Sequence, residues 1–345
     1  MKADDPLAGI GVHVGSDRVL DELMDKVSAE LQAKGCAVSR PERPSLAELH
    51  DGPDENAVLV VTSRTAVTKD YLSRHPSVRG VVFLSSGVNS IDIPDATRRG
   101  IVVANGATPE NQGSMAEATV MLAIALLLRL PERVEAFREE RPRPAPSEIT
   151  SRTLRGATVG LIGFGRIAKE VCRRLEGWGV ERILCHTRKP QPKQWPGVTF
   201  ASLPECLQAS HVVSIHLPLT AQTANLVDAQ ALSLMREDAV LINTSRGGIV
   251  DEGALAQALR TGRLAGAAID TFDIEPAPTG NPLRSCPNVI LTDHVIGHTR
   301  RMYDSLVAAA VQNVERILRG AVPEYIVNPQ VRIVDQGSGP APVSR

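Results

Sequence analysis

Residues 157–179 read ATVGLIGFGRIAKEVCRRLEGWG, and no other segment limits the fold so tightly. An apolar run, 157–162, meets Gly163-Phe164-Gly165-Arg166-Ile167-Ala168 and passes directly into a helical pattern. This is GxGxxA set between a strand and a helix, a variant of the dinucleotide fingerprint. Gly163 permits the tight turn, Gly165 lets the backbone approach a pyrophosphate, and Ala168 is small enough for the helix to pack close to the strand. The free N–H groups and partial positive charge of the helix start favour phosphate there. A merely structural turn would explain the glycines but not their place between strand and helix.

The rest of the chain repeats the same alternation. Short apolar runs at 7–14, 57–61, 78–84 and 101–104 form a first series. A second begins at 157–162 and continues at 182–185, 211–216, 239–243, 265–269 and 289–291. Strands alternating with amphipathic stretches predict parallel α/β sheets. With 345 residues the chain is long enough for two domains. Residues 139–151, rich in Pro, Arg and Glu, read as a loop. A long helix is predicted at 302–318, before a short apolar run at 325–327, and the final QGSGPAPVSR has nothing to bury and is expected to be disordered.

Composition excludes several function classes. The 38 basic and 39 acidic side chains leave a net charge of -1, so no bulk field draws nucleic acid or a membrane surface. Residues 118–128 are apolar but about half the roughly 20 residues a membrane span needs, which predicts a helix buried between domains or subunits. Cys36, Cys172, Cys185, Cys206 and Cys286 form no CxxC pair and no metal spacing. That pattern suits free thiols in a reducing compartment, and with no signal peptide in MKADDPLAGI the expected location is the cytoplasm.

The loop after the second strand of the later series bears on which dinucleotide binds. An NAD enzyme usually places an acid about 20 residues after the glycines, for the ribose 2′-hydroxyl. Thr187 lies 22 residues after Gly165, no Asp or Glu is nearby, and Arg188 and Lys189 follow. A carboxylate would repel a 2′-phosphate, whereas these cations would bind one, so NADP is preferred over NAD. The plain alternative is that both are solvated loop charges.

Three residues of complementary chemistry follow strands of the same series. Arg246 lies in INTSRGGIVDE, Glu275 in AAIDTFDIEP and His294 in NVILTDH. Parallel topology brings all three, and the glycine turn, to the carboxyl edge of one sheet, where ligands bind. Reducing a 2-keto acid needs a cation for the carboxylate and carbonyl oxygen, and a proton donor for the developing alkoxide. Arg246 offers a permanently charged fork, His294 a proton near neutral pH, and Glu275 a hold on the imidazole. Against this, an Arg after a strand can be a surface ion pair, and a Glu before Pro276 a turn residue. His216 and His298 are rival histidines. The His294/His298 spacing would suit a metal on a helix, but Gly297 and the preceding strand argue against a helix there, so no metal is expected.

These motifs, with VTSRTAVT, SSGVNSID, GSMAEAT, HLPLTAQT and LTDHVIGHT, resemble the D-isomer-specific 2-hydroxyacid dehydrogenases, from about Val61 to about Gly320. The resemblance implies that Arg246, Glu275 and His294 are catalytic, and that the backbone around Ser86, Gly87 and Val88 binds the substrate carboxylate. It adds Leu217, Pro218, Thr223, Thr244 and Asp270 to the cofactor contacts Gly163, Phe164, Gly165, Arg166, Ile167, Thr187, Arg188 and Lys189. The implied fold is two doubly wound parallel α/β domains, a Rossmann cofactor domain (106–296) inserted into a discontinuous flavodoxin-like substrate domain (1–105 and 297–345), with a disordered tail from 331. A homodimer and a small 2-keto or 2-hydroxy acid substrate are implied too. The alternative is a dinucleotide-sensing scaffold, like the corepressors that resemble the same family and lack significant turnover. Formate dehydrogenases of this type resemble the chain less, because they lack a Glu where Glu275 stands. The chain departs from the family at Asp293 (commonly Pro), His211 (commonly Asp), Asn89 (commonly Asp) and Thr62 (an Arg in phosphoglycerate dehydrogenases). The last of these argues against a phosphorylated substrate.

Overall fold

The computed structural model describes residues 7–15, 17, 19–41 and 56–331, so the tail expected to be disordered lies outside it except for Val331. The chain divides into two compact units, Met1–Asn111 with Thr299–Arg345, and Gln112–His298. The sequence expectation sets these breaks at 105/106 and 296/297. The first lies further on because the chain entering the next helix is tied back: Thr108 Oγ1 meets Ser305 Oγ at 2.9 Å. Asn111 Nδ2 donates to Ser86 Oγ at 2.9 Å and to the Gly106 carbonyl at 3.0 Å.

In the first unit, β1 (Gly11–Val14), α1 (Asp21–Ala33), β2 (Ala37–Ser39), β3 (Asn56–Val61), α2 (Lys69–Arg74), β4 (Gly80–Phe83), α3 (Ile93–Arg98) and β5 (Val102–Ala104) follow one another. The five strands are parallel in the order β2-β1-β3-β4-β5, the flavodoxin-like winding. Every residue of β3 and β4 is buried, as strands covered by helices on both faces must be. Residues 325–327 form no strand; Ile326 makes a single antiparallel bridge to Ala104.

Next come α4 (Pro109–Leu127), α5 (Leu130–Arg138), β6 (Thr158–Ile162), α6 (Arg166–Leu175), β7 (Arg182–His186), β8 (Val198–Phe200), α7 (Leu203–Ala209) and β9 (Val212–Ile215). They are followed by α8 (Ala229–Leu234), β10 (Val240–Asn243), α9 (Glu252–Arg260), β11 (Gly266–Ile269), β12 (Val289–Leu291) and α10 (Arg300–Leu318). The helix α10 returns to the first unit, where Val307, Val311 and Val314 share a core with Leu23, Met24 and Val27 of α1. The seven strands of the second unit are parallel in the order β12-β11-β10-β9-β6-β7-β8. Winding runs outward in opposite senses from β6 and β9, which makes the gap beyond their carboxyl ends the switch point where an open α/β sheet takes its ligand. One face is covered by α7, α8 and α9, and the other by α4 and α6. Within the expected loop 139–151 there is one short 3-10 turn, Pro146–Glu148. Among the described residues no single helix is long and apolar enough to cross a membrane.

Candidate active site

Register puts the predicted residues on one edge of the second sheet. His186 pairs with Ile162, Ile162 with Ile215, Ile215 with Asn243, Asn243 with Ile269, and Ile269 with Leu291. The residues that follow these strand ends, Thr187, Gly163, His216, Thr244, Asp270 and Thr292, therefore leave the sheet along one line. Arg246, Glu275 and His294 lie two to five positions further on in three of these loops.

His294 and Glu275 meet. His294 Nδ1 stands 3.0 Å from both carboxylate oxygens of Glu275, and each side chain is about a quarter to a third exposed, at 27% and 31%. The Glu275 Oε1 atom also accepts from the Phe272 N–H at 3.2 Å. Holding Nδ1–H on the carboxylate fixes the imidazole tautomer and leaves Nε2 for proton exchange. The backbone of His294 is left-handed, with φ of 63°, which a non-glycine residue adopts at a cost of about 1–2 kcal/mol. The buried Asp270 holds that turn: its Oδ1 accepts from Thr292 Oγ1 at 2.6 Å, from Val295 N at 3.1 Å and from Ile296 N at 3.2 Å.

The Arg246 loop is bound to the Glu275 loop. A Cβ on Gly247 would lie 1.9 Å from the Phe272 carbonyl oxygen, so only glycine lets these two loops come so close. Asp273 Oδ1 accepts from Gly248 N, while Glu252, in the first turn of α9, accepts from Asp273 N at 2.8 Å and from Asn281 Nδ2 at 2.6 Å. Arg246 is half-buried, and its Nη1 donates to the Ser245 carbonyl at 2.6 Å. Sequence reasoning passed over Asp273, Glu252 and Asn281; the two acids stand within RGGIVDE and DTFDIEP, a signal that solvated surface acids share, and Asn281 lies outside both motifs.

The glycine turn accommodates a dinucleotide. Gly163 has φ of +104°, and a Cβ there would lie 2.4 Å from the His216 carbonyl oxygen. Gly165 opens α6 with φ of -81°, no side chain caps the helix, and its Cβ would meet nothing within 4 Å. A space beside uncapped helix N–H groups, free of protein atoms, is a cradle for pyrophosphate. The Phe164 side chain is turned into the core against Phe200 and Trp195, so any contact it makes with a cofactor is through its backbone. Thr187 is half-buried and Arg188 and Lys189 are exposed on the loop beyond β7. Thr223 Oγ1 donates to the Pro218 carbonyl at 2.7 Å and accepts from Thr220 N at 2.8 Å, folding the loop that carries Leu217 and Pro218. Thr244 is buried at the end of β10.

His216, at the end of β9, is a different kind of histidine. Its Nε2 is shut away from solvent with no hydrogen-bond partner, and burial pushes the imidazole down to about 4. Such a ring is neutral at pH 7 and a poor proton donor. In the first unit, Ser86, Gly87 and Val88 follow β4; Ser85 Oγ donates to the Gly87 carbonyl at 3.0 Å, and the Ser86 carbonyl accepts from Asn105 Nδ2 at 2.7 Å.

Comparison with known proteins gives the family. Residues 120–295 match the family described as D-isomer specific 2-hydroxyacid dehydrogenase, NAD binding domain. A glyoxylate reductase of Thermococcus litoralis is 33% identical over 301 residues, covering 84% of this chain and 89% of that protein. An (S)-sulfolactate dehydrogenase of Chromohalobacter salexigens is 35% identical over 315 residues, covering 88% and 98%. The crystal structure of an NADPH-dependent glyoxylate/hydroxypyruvate reductase from Sinorhizobium meliloti, with NADP and malonate, superposes with a TM-score of 0.80 at 29% identity, covering 94% and 99%. This chain therefore belongs to the D-isomer specific 2-hydroxyacid dehydrogenases, enzymes that pass a hydride between a nicotinamide dinucleotide and a 2-hydroxy or 2-keto acid.

Proposed function

We propose that this enzyme is an NADPH-preferring reductase of small, unphosphorylated 2-keto acids of the glyoxylate class, with Arg246, Glu275 and His294 as its catalytic residues. The observation that carries the reading is the His294 Nδ1–Glu275 pair, 3.0 Å to both oxygens, beyond the same sheet edge as the glycine turn. A nicotinamide dinucleotide held at the glycine turn would supply the hydride for C2 of the keto acid. His294 Nε2 gives its proton to the carbonyl oxygen as C–H bond formation turns that oxygen into an alkoxide, and takes it back in the oxidation direction. The fork of Arg246 holds carboxylate and carbonyl oxygen. Backbone groups of Ser86, Gly87 and Val88 hold the carboxylate, and the fingerprint with Leu217, Pro218, Thr223, Thr244 and Asp270 holds the dinucleotide. The names of the relatives support the substrate class, and the cations Arg188 and Lys189, with no acid beside them, support NADPH.

The working form is a cytoplasmic homodimer. Met121 on α4, Leu128 between α4 and α5, Leu130 on α5 and Trp178 in the turn after α6 are about half exposed around an apolar groove of about 490 Å³. A patch of this kind is stabilised by a second subunit. Five free thiols suit the reducing cytoplasm.

A panel of 2-keto acids run with NADPH and with NADH tests the proposal. Glyoxylate and hydroxypyruvate should turn over fastest and with NADPH. No turnover of any member would leave a dinucleotide-sensing scaffold, and a native preference for NADH would remove the role given to Arg188 and Lys189. His294→Ala, His216→Ala and His298→Ala should part company in single-turnover hydride transfer. Only the first should abolish transfer while cofactor binding persists, and native-rate transfer by His294→Ala would exclude that residue.

A further inference from the structure

We propose that Lys169, Arg173 and Trp195 form a clamp that positions Arg188 and Lys189, and that through those cations it sets the preference for a 2′-phosphate. The inference rests on the reading that Arg188 and Lys189 receive that phosphate. Between β7 and β8 the chain runs through residues 187–197, TRKPQPKQWPG, where Arg188, Lys189 and Lys193 are exposed. Unsupported loop cations must be ordered when they bind an anion, and that ordering weakens binding.

The loop is supported at its middle and its far end. Lys169 Nζ, on α6, donates to Gln191 Oε1 at 3.0 Å. The same ammonium lies 5.6 Å from the centre of the Phe164 ring and 5.9 Å from that of Trp195, and the Arg173 guanidinium lies 5.3 Å from Trp195. Two cations on one indole would repel each other, but Glu170 pairs with Arg173 on the same helix. The Trp195 ring stands edge-on to Phe164 at 5.3 Å, and Phe164 edge-on to Phe200 of β8 at 5.2 Å. The Gln191 carbonyl accepts from both Gln194 N and Trp195 N at 3.1 Å, closing the loop on itself. Phe164 is the residue between the two fingerprint glycines. One continuous set of contacts thus joins the pyrophosphate turn, the first two turns of α6 and the loop that carries the two cations. Lys169, Arg173 and Trp195 act here as positioning residues.

The test is the ratio of NADPH to NADH affinity, titrated by reduced-nicotinamide fluorescence on the whole enzyme. Damage to the fold weakens both cofactors alike, whereas loss of the clamp moves the ratio. Trp195→Leu and Lys169→Met should each lower it by about threefold to fivefold, and Trp195→Phe, which keeps a ring under the cations, should restore most of it. In an Arg188→Ala/Lys189→Ala background the same substitutions should change the ratio no further, because the clamp acts through those cations. An unchanged ratio in Trp195→Leu, beside a shifted ratio in Arg188→Ala/Lys189→Ala, overturns the clamp and leaves the reading of the cations standing. An equal shift in both backgrounds overturns it too, since Lys169 or Trp195 would then act independently. No shift on removing Arg188 and Lys189 themselves overturns the reading beneath it.

Discussion

Replacing Gly163 by alanine would put a Cβ 2.4 Å from the carbonyl oxygen of His216 and 2.8 Å from its carbon, at a backbone φ of +104°. Both neighbours are backbone, so neither can swing aside. The positive φ costs an L-residue about 1–2 kcal/mol, and forcing apart a packed contact costs about 1–3 kcal/mol more. A central value is about 3 kcal/mol. For a domain of this size each kcal/mol moves the Tm by about 2–4 °C, so Gly163→Ala should melt about 10 °C below the native enzyme. Gly165→Ala meets nothing within 4 Å, at an ordinary φ of -81°. It narrows the unfolded ensemble and should leave stability unchanged or raise it by about 0.5 kcal/mol. Its methyl would occupy the cradle at the start of α6, however, so dinucleotide affinity should fall on the order of tenfold or more, the loss expected when phosphate–N–H contacts are stretched. Thermal unfolding by circular dichroism and a fluorescence titration with NADPH measure the two effects separately. The reasoning fails if Gly165→Ala melts as early as Gly163→Ala, or binds NADPH as tightly as the native enzyme.

Arg246→Lys keeps the charge and loses the planar fork, so kcat/KM for keto-acid reduction should fall about a hundredfold, equivalent to about 3 kcal/mol; steady-state kinetics that stay within threefold of native would contradict the assignment. His216 is held at about 4 against an ordinary 6.5, so the unfolded chain takes up its proton first as pH falls, and the stability this ring contributes above pH 6.5 drains away between 6.5 and 4. Urea unfolding at pH 7 and pH 5 should show His216→Leu gaining about 2 kcal/mol on the native enzyme between the two, and a constant gap would refute the burial argument. Burial pushes the thiols of Cys172, Cys185 and Cys206 up to about 12, leaving about one thiolate in ten thousand at pH 8. A thiol-disulfide reagent should therefore find them silent until urea is added, while prompt reaction of three or more thiols in the native enzyme would count against it.

What the sequence makes legible follows from what burial demands of it. The strands β3, β6, β9, β10 and β11 are buried along their whole length, so each is a short, mainly apolar run with at most one polar residue, and its length marks it as a strand. The edge strands β2 and β8 are three residues each and partly exposed, and residues 37–39 and 198–200 carry no such run. The helix α5 is hidden for another reason. Pro131 after an apolar stretch reads as a stop, yet here it sits at the start of a new helix, after Arg129 turns the chain through the left-handed region at φ of 55°. One proline can end a helix or begin one, and only the preceding dihedral decides.

The site divides along the same line. The placement of Arg246, Glu275 and His294 is legible because topology alone brings strand ends together: a residue shortly after a parallel strand must emerge at the carboxyl edge, whatever the side chains between. What holds these loops is not legible, because it depends on short polar contacts between residues more than twenty positions apart, such as Gly248–Asp273 and Glu252–Asp273. Asp270 reads as one more polar residue at a strand end, yet it is its Oδ1 that gathers the hydroxyl of Thr292 and the N–H groups of Val295 and Ile296 around the left-handed His294. That turn carries the imidazole whose Nδ1 stands 3.0 Å from Glu275. Gly247 reads as flexibility, whereas the carbonyl of Phe272 fills the place of its Cβ and draws the Arg246 loop against the Glu275 loop. Topology therefore fixes which residues can meet, while the loop contacts fix how closely they do. A catalyst needs the second as much as the first, because proton transfer falls off steeply once donor and acceptor leave hydrogen-bond reach.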